Sequence, residues 1–381
     1  MSAPLSAEVQ LRRLATCRDD LREPLNAVER SERPGDVPYW GANSIQGYVD
    51  KAKLDFPVVL LGEDGAPFFD RSRDVSFYRN EPIWPNNHIH VLVPSEATDG
   101  RWLAYALNSV DYSRVINGST RDKLTQSAMM SIALPNTLPD GQRAIADYLD
   151  RETQKIDELI TEQRDLIETL RERRKSVIDQ GAEESVAERI RLRYLFLPAE
   201  VRNQHGEQVL SVYRDYGVIP KGSRDGNYNV TPEDVSRYLL VRPGDLVVNR
   251  MKAWQGSLGI SQHRGIVSGD YEVLRPTTER LHPMFAHLYL RSARMVGQYV
   301  VRSTGIRPSQ WRLYWKQMGD IAIPVPPIRK QQEIVSFVSE QISRIDELIS
   351  ESQDLITLSK ERRAALITAA VTGQIDVREA A

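Results

Sequence analysis

Ile132 to Ala182 aligns without a gap to Ile321 to Val371, at an offset of 189 residues. Both copies open on an apolar stretch with proline, "IALPNTLP" and "IAIPVPPI", and both pass through a glutamine, Gln142 or Gln331. They then share "IDELI" and, further on, "ERR" at Glu172 to Arg174 and Glu361 to Arg363. A match of this extent at one fixed offset is the mark of internal duplication. The duplicated unit is longer than the matched stretch, because "VQLRRL" at Val9 resembles "IRLRYL" at Ile190. The order is therefore domain, helix, domain, helix: a first domain over 1–131, a long helix over 132–182, a second domain over 183–320 and a second long helix over 321–381.

The repeated segments read as long helices. Apolar residues recur at alternating steps of four and three, with Ile156, Ile160, Ile167 and Leu170 in the first copy and Ile345, Ile349 and Ile356 in the second. That spacing is a coiled-coil seam, so the two helices are expected to pack on each other as an antiparallel pair. Gln163 and Ser352 occupy equivalent mid-seam places, where a polar side chain either fixes register or is an ordinary irregularity. A continuous helix from Gly141 to Asp179 spans about 58 Å at roughly 1.5 Å per residue, enough to act as a spacer on the scale of one to two turns of B-DNA.

Each flanking region alternates short apolar runs with Gly, Pro, Asn and Asp. "FPVVLLGEDG" and "NHIHVLVP" read as strands in the first, "GDLVVNRM" and "DYEVLRP" in the second. "RWLAYALNSVDYSRVI" and "MFAHLYLRSARMVGQYV" read as amphipathic helices after the last of those strands. The expected fold class is α/β: two mixed α/β domains separated by two long antiparallel coiled-coil helices, with an internal pseudo-two-fold repeat. No run approaches 18 apolar residues and the start lacks the apolar core of a secretion signal, so a cytoplasmic chain with no membrane partner is expected. The single cysteine, Cys17, excludes an internal disulfide and argues against a Cys-based zinc site.

Catalytic signatures are missing from the sequence. Gly-Lys never occurs, there is no G-x-G-x-x-G or Asn-Pro-Pro-Tyr, and no Glu-x-Lys triplet. No catalytic residue is assigned, and the chain is read as a nonenzyme. His88 and His90 in "NNHIH" share a strand face as two metal ligands might, but no third ligand follows at a useful spacing, so no metal is expected.

Features suited to nucleic acid rank higher. Residues 183–320 carry 20 basic and 14 acidic side chains, while the chain as a whole has a net charge of −2. Such a balance disfavours general polyanion binding but allows local basic faces. "NRMKAWQGSLG" brings together Arg250, Lys252, Trp254 and Gln255, and "GIRPSQWRLYWKQ" brings Arg307, Gln310, Arg312 and Lys316 among three aromatics. Arginine and lysine suit phosphate or guanine, and an amide suits adenine. In the first domain the comparable candidates are Asn43, Gln46, Asn87, His88, Arg121 and Lys123. Taken singly, each group could be a solvated loop around a core aromatic; set in two domains on a ruler, they point to sequence reading.

At these residues the sequence resembles the specificity subunits of type I restriction-modification systems. The resemblance is carried by "PYWGANSIQGYVD", "LLGEDGAPF", "GDLVVNRMKAWQGSLGIS" and "GIVSGDYEVLRP", by the two proline-to-helix junctions, and by the tail "ALITAAVTGQIDV". It departs from the family at Asp140-Gly141-Gln142 and Arg329-Lys330-Gln331, where an acidic residue usually precedes the glutamine. The resemblance implies two target recognition domains, each reading half of a split, asymmetric site on double-stranded DNA. It further implies two modification subunits that methylate adenine with their own S-adenosylmethionine, and restriction subunits that use ATP, with no cofactor in this chain. A DNA-binding adaptor of another defence system and a coiled-coil scaffold remain open as alternatives.

Overall fold

The computed structural model describes residues 8–116, 122–183, 187–214, 216–223, 231–307 and 310–377. The chain divides into two compact units, Met1–Asp165 with Glu351–Ala381, and Leu166–Ser350. Each unit is built around a four-stranded antiparallel sheet, and the strand order is the same in both. In the first it runs Ala15–Cys17, Ile89–Pro94, Val58–Gly62, Ser76–Arg79. In the second it runs Phe196–Pro198, Tyr271–Pro276, Leu246–Asn249, Leu258–Ile260. The duplication seen in the helices therefore extends through the domains.

The central strands are apolar without alternation because both faces of each sheet are covered. Val59, Leu61 and Leu92 pack with Trp102, Leu103 and Leu107 of the helix Gly100–Asn108, while Val58, Leu60, Ile89 and Val91 pack with Trp40, Leu54 and Ile83. The second unit repeats the division: Leu246, Val248 and Leu274 face Phe285, Tyr289 and Leu290, and Val247 and Val273 face Val241 and Val267. A two-stranded ribbon closes each unit, with Val9 opposite Leu134 in one and Ile190 opposite Ile323 in the other. These are the short motifs that matched in sequence.

The amphipathic runs are each broken. The first helix stops at Asn108, followed by a short turn of helix at Tyr112–Arg114 capped by the Asp111 carboxylate. The second divides into Pro283–Leu290 and Ala293–Val300, because the Ser292 hydroxyl accepts from the Met295 amide and starts a new helix.

The long helices run Pro139–Glu183 and Ile328–Val371, 45 and 44 residues, or about 68 and 66 Å. The first starts in the first unit and ends in the second; the other runs the opposite way. Inside the first unit, Ile145, Ala146 and Leu149 share a core with Ile367, Ala370 and Val371, and the Arg363 guanidinium reaches Asp157 and Asp74. Inside the second, Leu170 and Val177 pack with Ile334, Val338 and Ile345, and Arg174 meets Asp346. Within each unit the pairing is antiparallel. Ile156, Ile160, Ile167, Leu170 and Ile345 are buried, whereas Ile349 and Ile356 are half-buried. Ser352 and Ser359 are buried at seam positions and Gln163 is half-buried. Among the described residues no helix is long and apolar enough to cross a membrane.

Candidate nucleic-acid interface

At one end of each four-stranded sheet three chain segments meet, and the backbone bonds that join them are the same in both units. In the first unit the Glu63 amide donates to the His88 carbonyl (3.0 Å) and the Leu124 amide donates to the Glu63 carbonyl (2.7 Å). In the second the Arg250 amide donates to the Asp270 carbonyl (3.3 Å) and the Leu313 amide to the Arg250 carbonyl (2.9 Å). One scaffold thus presents two different sets of side chains, with a carboxylate at Glu63 where the other unit has the guanidinium of Arg250.

The first junction is internally balanced. Glu63 accepts from Arg22 at 2.5 Å and pairs with Lys123 at 3.0 Å, while His88 pairs with Asp64. Arg22 also donates to the carbonyls of Asn87 and Ile89, fixing the loop that carries the exposed Asn87 and His88. The hairpin bearing Asn43 and Gln46 joins from the side, since the Asn86 amide donates to the Trp40 carbonyl at 2.9 Å. Gly62 permits that approach: a Cβ there would meet the Ala42 carbonyl oxygen at 2.8 Å. Gln46 is exposed and donates to Ser44; Asn43 is half-buried. Arg121 lies outside the described residues.

The second junction is richer in cations. The Arg250 guanidinium donates to the carbonyls of Gly269 and Asp270, so this side chain ties two loops together. Lys252 and Gln255 are exposed on the turn that follows, which ends at Gly256 in the left-handed conformation (φ 89°). Trp254 is half-buried and meets Trp311 edge to face at 5.5 Å, joining that turn to the segment bearing Arg307, Gln310, Arg312 and Lys316. All four are exposed, and Arg312 is held by paired backbone bonds with Thr304. Exposed amides and cations on loops anchored to a rigid sheet can read base edges and neutralise phosphates.

Sequence reasoning missed Arg22 and Arg79. Arg22 stands far from the other junction residues in sequence, and no local pattern marks it. Arg79 stacks over Trp40 at 4.6 Å and Phe77 at 5.8 Å, and burial lowers its pKa from the usual arginine value. Its alternation with Phe77 on one strand is the signal that could have found it.

The two histidines take separate partners. His90 is buried, with Nδ1 on the Asp19 carboxylate at 2.7 Å and Nε2 on the Leu124 carbonyl at 2.9 Å. Among the described residues Cys17, Asp19 and His90 form the one group with metal-ligand spacing. Its donors are otherwise engaged: both His90 nitrogens face acceptors, and Asp19 also accepts from Val91 and pairs with Arg22. Burial, then the neighbouring Asp19, pushes the Cys17 thiol up to about 12, away from the thiolate a metal needs. The group reads as a packed hydrogen-bond network that anchors the Leu124 segment.

A family model for the type I restriction modification DNA specificity domain matches residues 23–169. A Haemophilus influenzae protein named as a type I restriction enzyme specificity subunit, S.HindORF215P, is 30% identical over 138 residues, 34% of this chain and 35% of that protein. The chain thus spans about a third of the length of the curated relative it matches. Among solved structures, a chain from work described as the structural basis of complex assembly and conformational transition of the type I R-M system aligns over 98% of this chain and all of its own length, with a TM-score of 0.68 at 12% identity. The HsdS subunit of Thermoanaerobacter tengcongensis aligns over 98% of both chains, with a TM-score of 0.51 at 13% identity. At those identities the likeness is one of fold. Residues 23–169 thus match a type I restriction modification DNA specificity domain, and the chain as a whole shares the fold of the HsdS subunit.

Proposed function

We propose that this chain is the noncatalytic DNA-reading subunit of a type I restriction-modification complex. Residues 1–131 and 183–320 act as two target recognition domains, and the segments 132–182 and 321–381 act as the spacers between them. The two halves read the unequal parts of a split double-stranded site. Two modification subunits dock along the long helices and methylate one adenine in each half, using S-adenosylmethionine that they bind themselves. Restriction subunits add ATP-driven translocation and cleavage, and the assembly works in the cytoplasm.

The observation that carries this reading is the junction built twice. The same backbone bonds hold Glu63, His88 and Leu124 in one unit and Arg250, Asp270 and Leu313 in the other, so two presentation platforms share a frame while their side chains differ. A frame held constant under changed side chains is what reading two different sequences with one fold requires. The test uses the complex with its modification subunits and duplexes varied one half at a time. Arg312→Ala should weaken discrimination in one half-site by about 1–3 kcal/mol and leave the other unchanged, and Lys123→Ala should act only on the opposite half. Equal loss on both halves from either substitution would contradict the assignment of one half to each unit.

A further inference from the structure

Gln142 and Gln331 stand at the same place in the repeat and are 2% and 0% exposed. Glutamine so thoroughly buried is uncommon and calls for partners. In the first unit the Gln142 Oε1 accepts from the Asp99 amide at 2.8 Å, and Nε2 donates to the Thr137 carbonyl at 2.8 Å. In the second the Gln331 Oε1 accepts from the His282 amide at 2.8 Å, and Nε2 donates to the carbonyls of Pro326 and Arg280, each at 2.7 Å. Asp99 and His282 are the N-cap residues of the helices Gly100–Asn108 and Pro283–Leu290. Each glutamine therefore joins three pieces of its own unit: the long helix, the turn that leads into it, and the start of the helix that backs the sheet.

We infer that Gln142 and Gln331 are positioning residues that fix the direction of each recognition domain on its own spacer helix, and so set the gap between half-sites. The inference rests on the proposed DNA-reading role and adds the device that makes the spacing definite. A single amide bonded to two or three main-chain groups tolerates little rotation, and in a dry site those bonds are strengthened. Apolar packing of Ile145 and Leu149, or of Ile334 and Val338, holds domain to helix without dictating an angle so closely.

The two clamps are unequally reinforced. In the first unit Arg101 donates to Asp147 and Asp150, both at 2.9 Å, and the Tyr105 hydroxyl donates to Asp150 at 2.9 Å, tying the same helix to the same spacer. The corresponding positions of the second unit hold Met284 and Leu288 on the domain helix, and Ser336 and Ser339 on the spacer. Among the described residues these four positions form no such network; the Ala293 amide donates to Asp179 at 2.7 Å, but that bond joins a different helix to the other spacer, so Gln331 carries more of the orientation of its own domain helix than Gln142 does.

The experiment maps methylated sites made by the assembled complex with its modification subunits, in a host without adenine methylation. Chains compared are the wild type, Gln142→Met, Gln331→Met and Gln331→Glu. Methionine keeps the length of the side chain and removes every bond; glutamate keeps the acceptor toward His282. Gln331→Met should keep both half-site sequences but use gaps one base pair too long or short about ten-fold more often than wild type, as the loss of one to two net hydrogen bonds implies. Gln331→Glu should fall between, and Gln142→Met should change the gap by less than about three-fold because the Arg101 network remains. The His282 amide should exchange with deuterium faster in Gln331→Met than in wild type. A single wild-type gap and unchanged exchange in a folded Gln331→Met complex would overturn the inference. So would unfolding of both Gln331 variants, seen as lost helical dichroism, since the amide would then serve stability alone. If wild type methylates no split site, the DNA-reading role fails, and the exchange measurement still decides whether the clamp exists.

Discussion

At the scale of single residues, His287 gives the clearest solution signature. Its ring lies between Gly217 and Gly259, where an added Cβ would meet Cε1 at 2.7 and 3.1 Å, and its Nε2 accepts from Arg291 at 2.7 Å. Burial, and then the charge of Arg291, lowers its pKa to about 4. An unfolded histidine titrates near 6.5, so between about pH 6.5 and 4 the unfolded chain binds a proton that the folded chain refuses. Stability should therefore fall across that window as the pH is lowered, by about 2 kcal/mol. Urea unfolding at pH 7 and pH 4.5 should show the loss, and His287→Gln should reduce it; an identical pH slope in the variant would refute the assignment. Residues of this kind are poorly legible in sequence, because their neighbours arrive from elsewhere in the chain. Gln142 and Gln331 were visible as a shared letter of the repeat, but their partners lie 43 and 49 residues upstream. Arg22 and Arg79 escaped for the same reason, while the place of Asn87, His88 and Lys123 on loops was legible because polar residues at strand ends mark loops.

The elements were more open to reading. Four-and-three spacing marked the long helices, since a seam repeats often enough to outweigh local exceptions, and continuous apolar runs marked the sheet's central strands, since both faces are covered. The breaks in the shorter helices were not legible: Ser292 is as ordinary in a helix as at its start until Met295 donates to it. Ile345→Ala removes a buried branched side chain facing Leu170 and Val177, and should cost about 2–4 kcal/mol in the complete chain by urea titration. A loss below about 0.5 kcal/mol would mean that this part of the seam is not packed. Removing one heptad from each long helix shortens the spacer by about 10 Å, which should shorten the gap by about three base pairs and leave both half-site sequences intact. Altered half-sites with an unchanged gap would separate spacing from the helices altogether.

At the scale of the whole chain, duplication is the organising fact. Two units share strand order, ribbon register, junction bonds and glutamine clamp, yet differ in surface charge: Glu63 against Arg250 at the junction, and an excess of six basic residues over 183–320 in a chain of net charge −2. The proposed reading of an asymmetric target fits a molecule that keeps its frame and varies its contacts, since local cations can bind phosphates where overall charge does not. The charge difference leads to a further expectation: half-site binding through the second unit should weaken more steeply with salt than binding through the first. Expressing the chain with its modification subunits in a host lacking adenine methylation, and mapping methylated adenines across the genome, decides whether the two units read one split site. One split motif with two unequal halves and a constant gap is expected; an unsplit motif, or no methylation from an assembled complex, would overturn the assignment of one half-site to each unit.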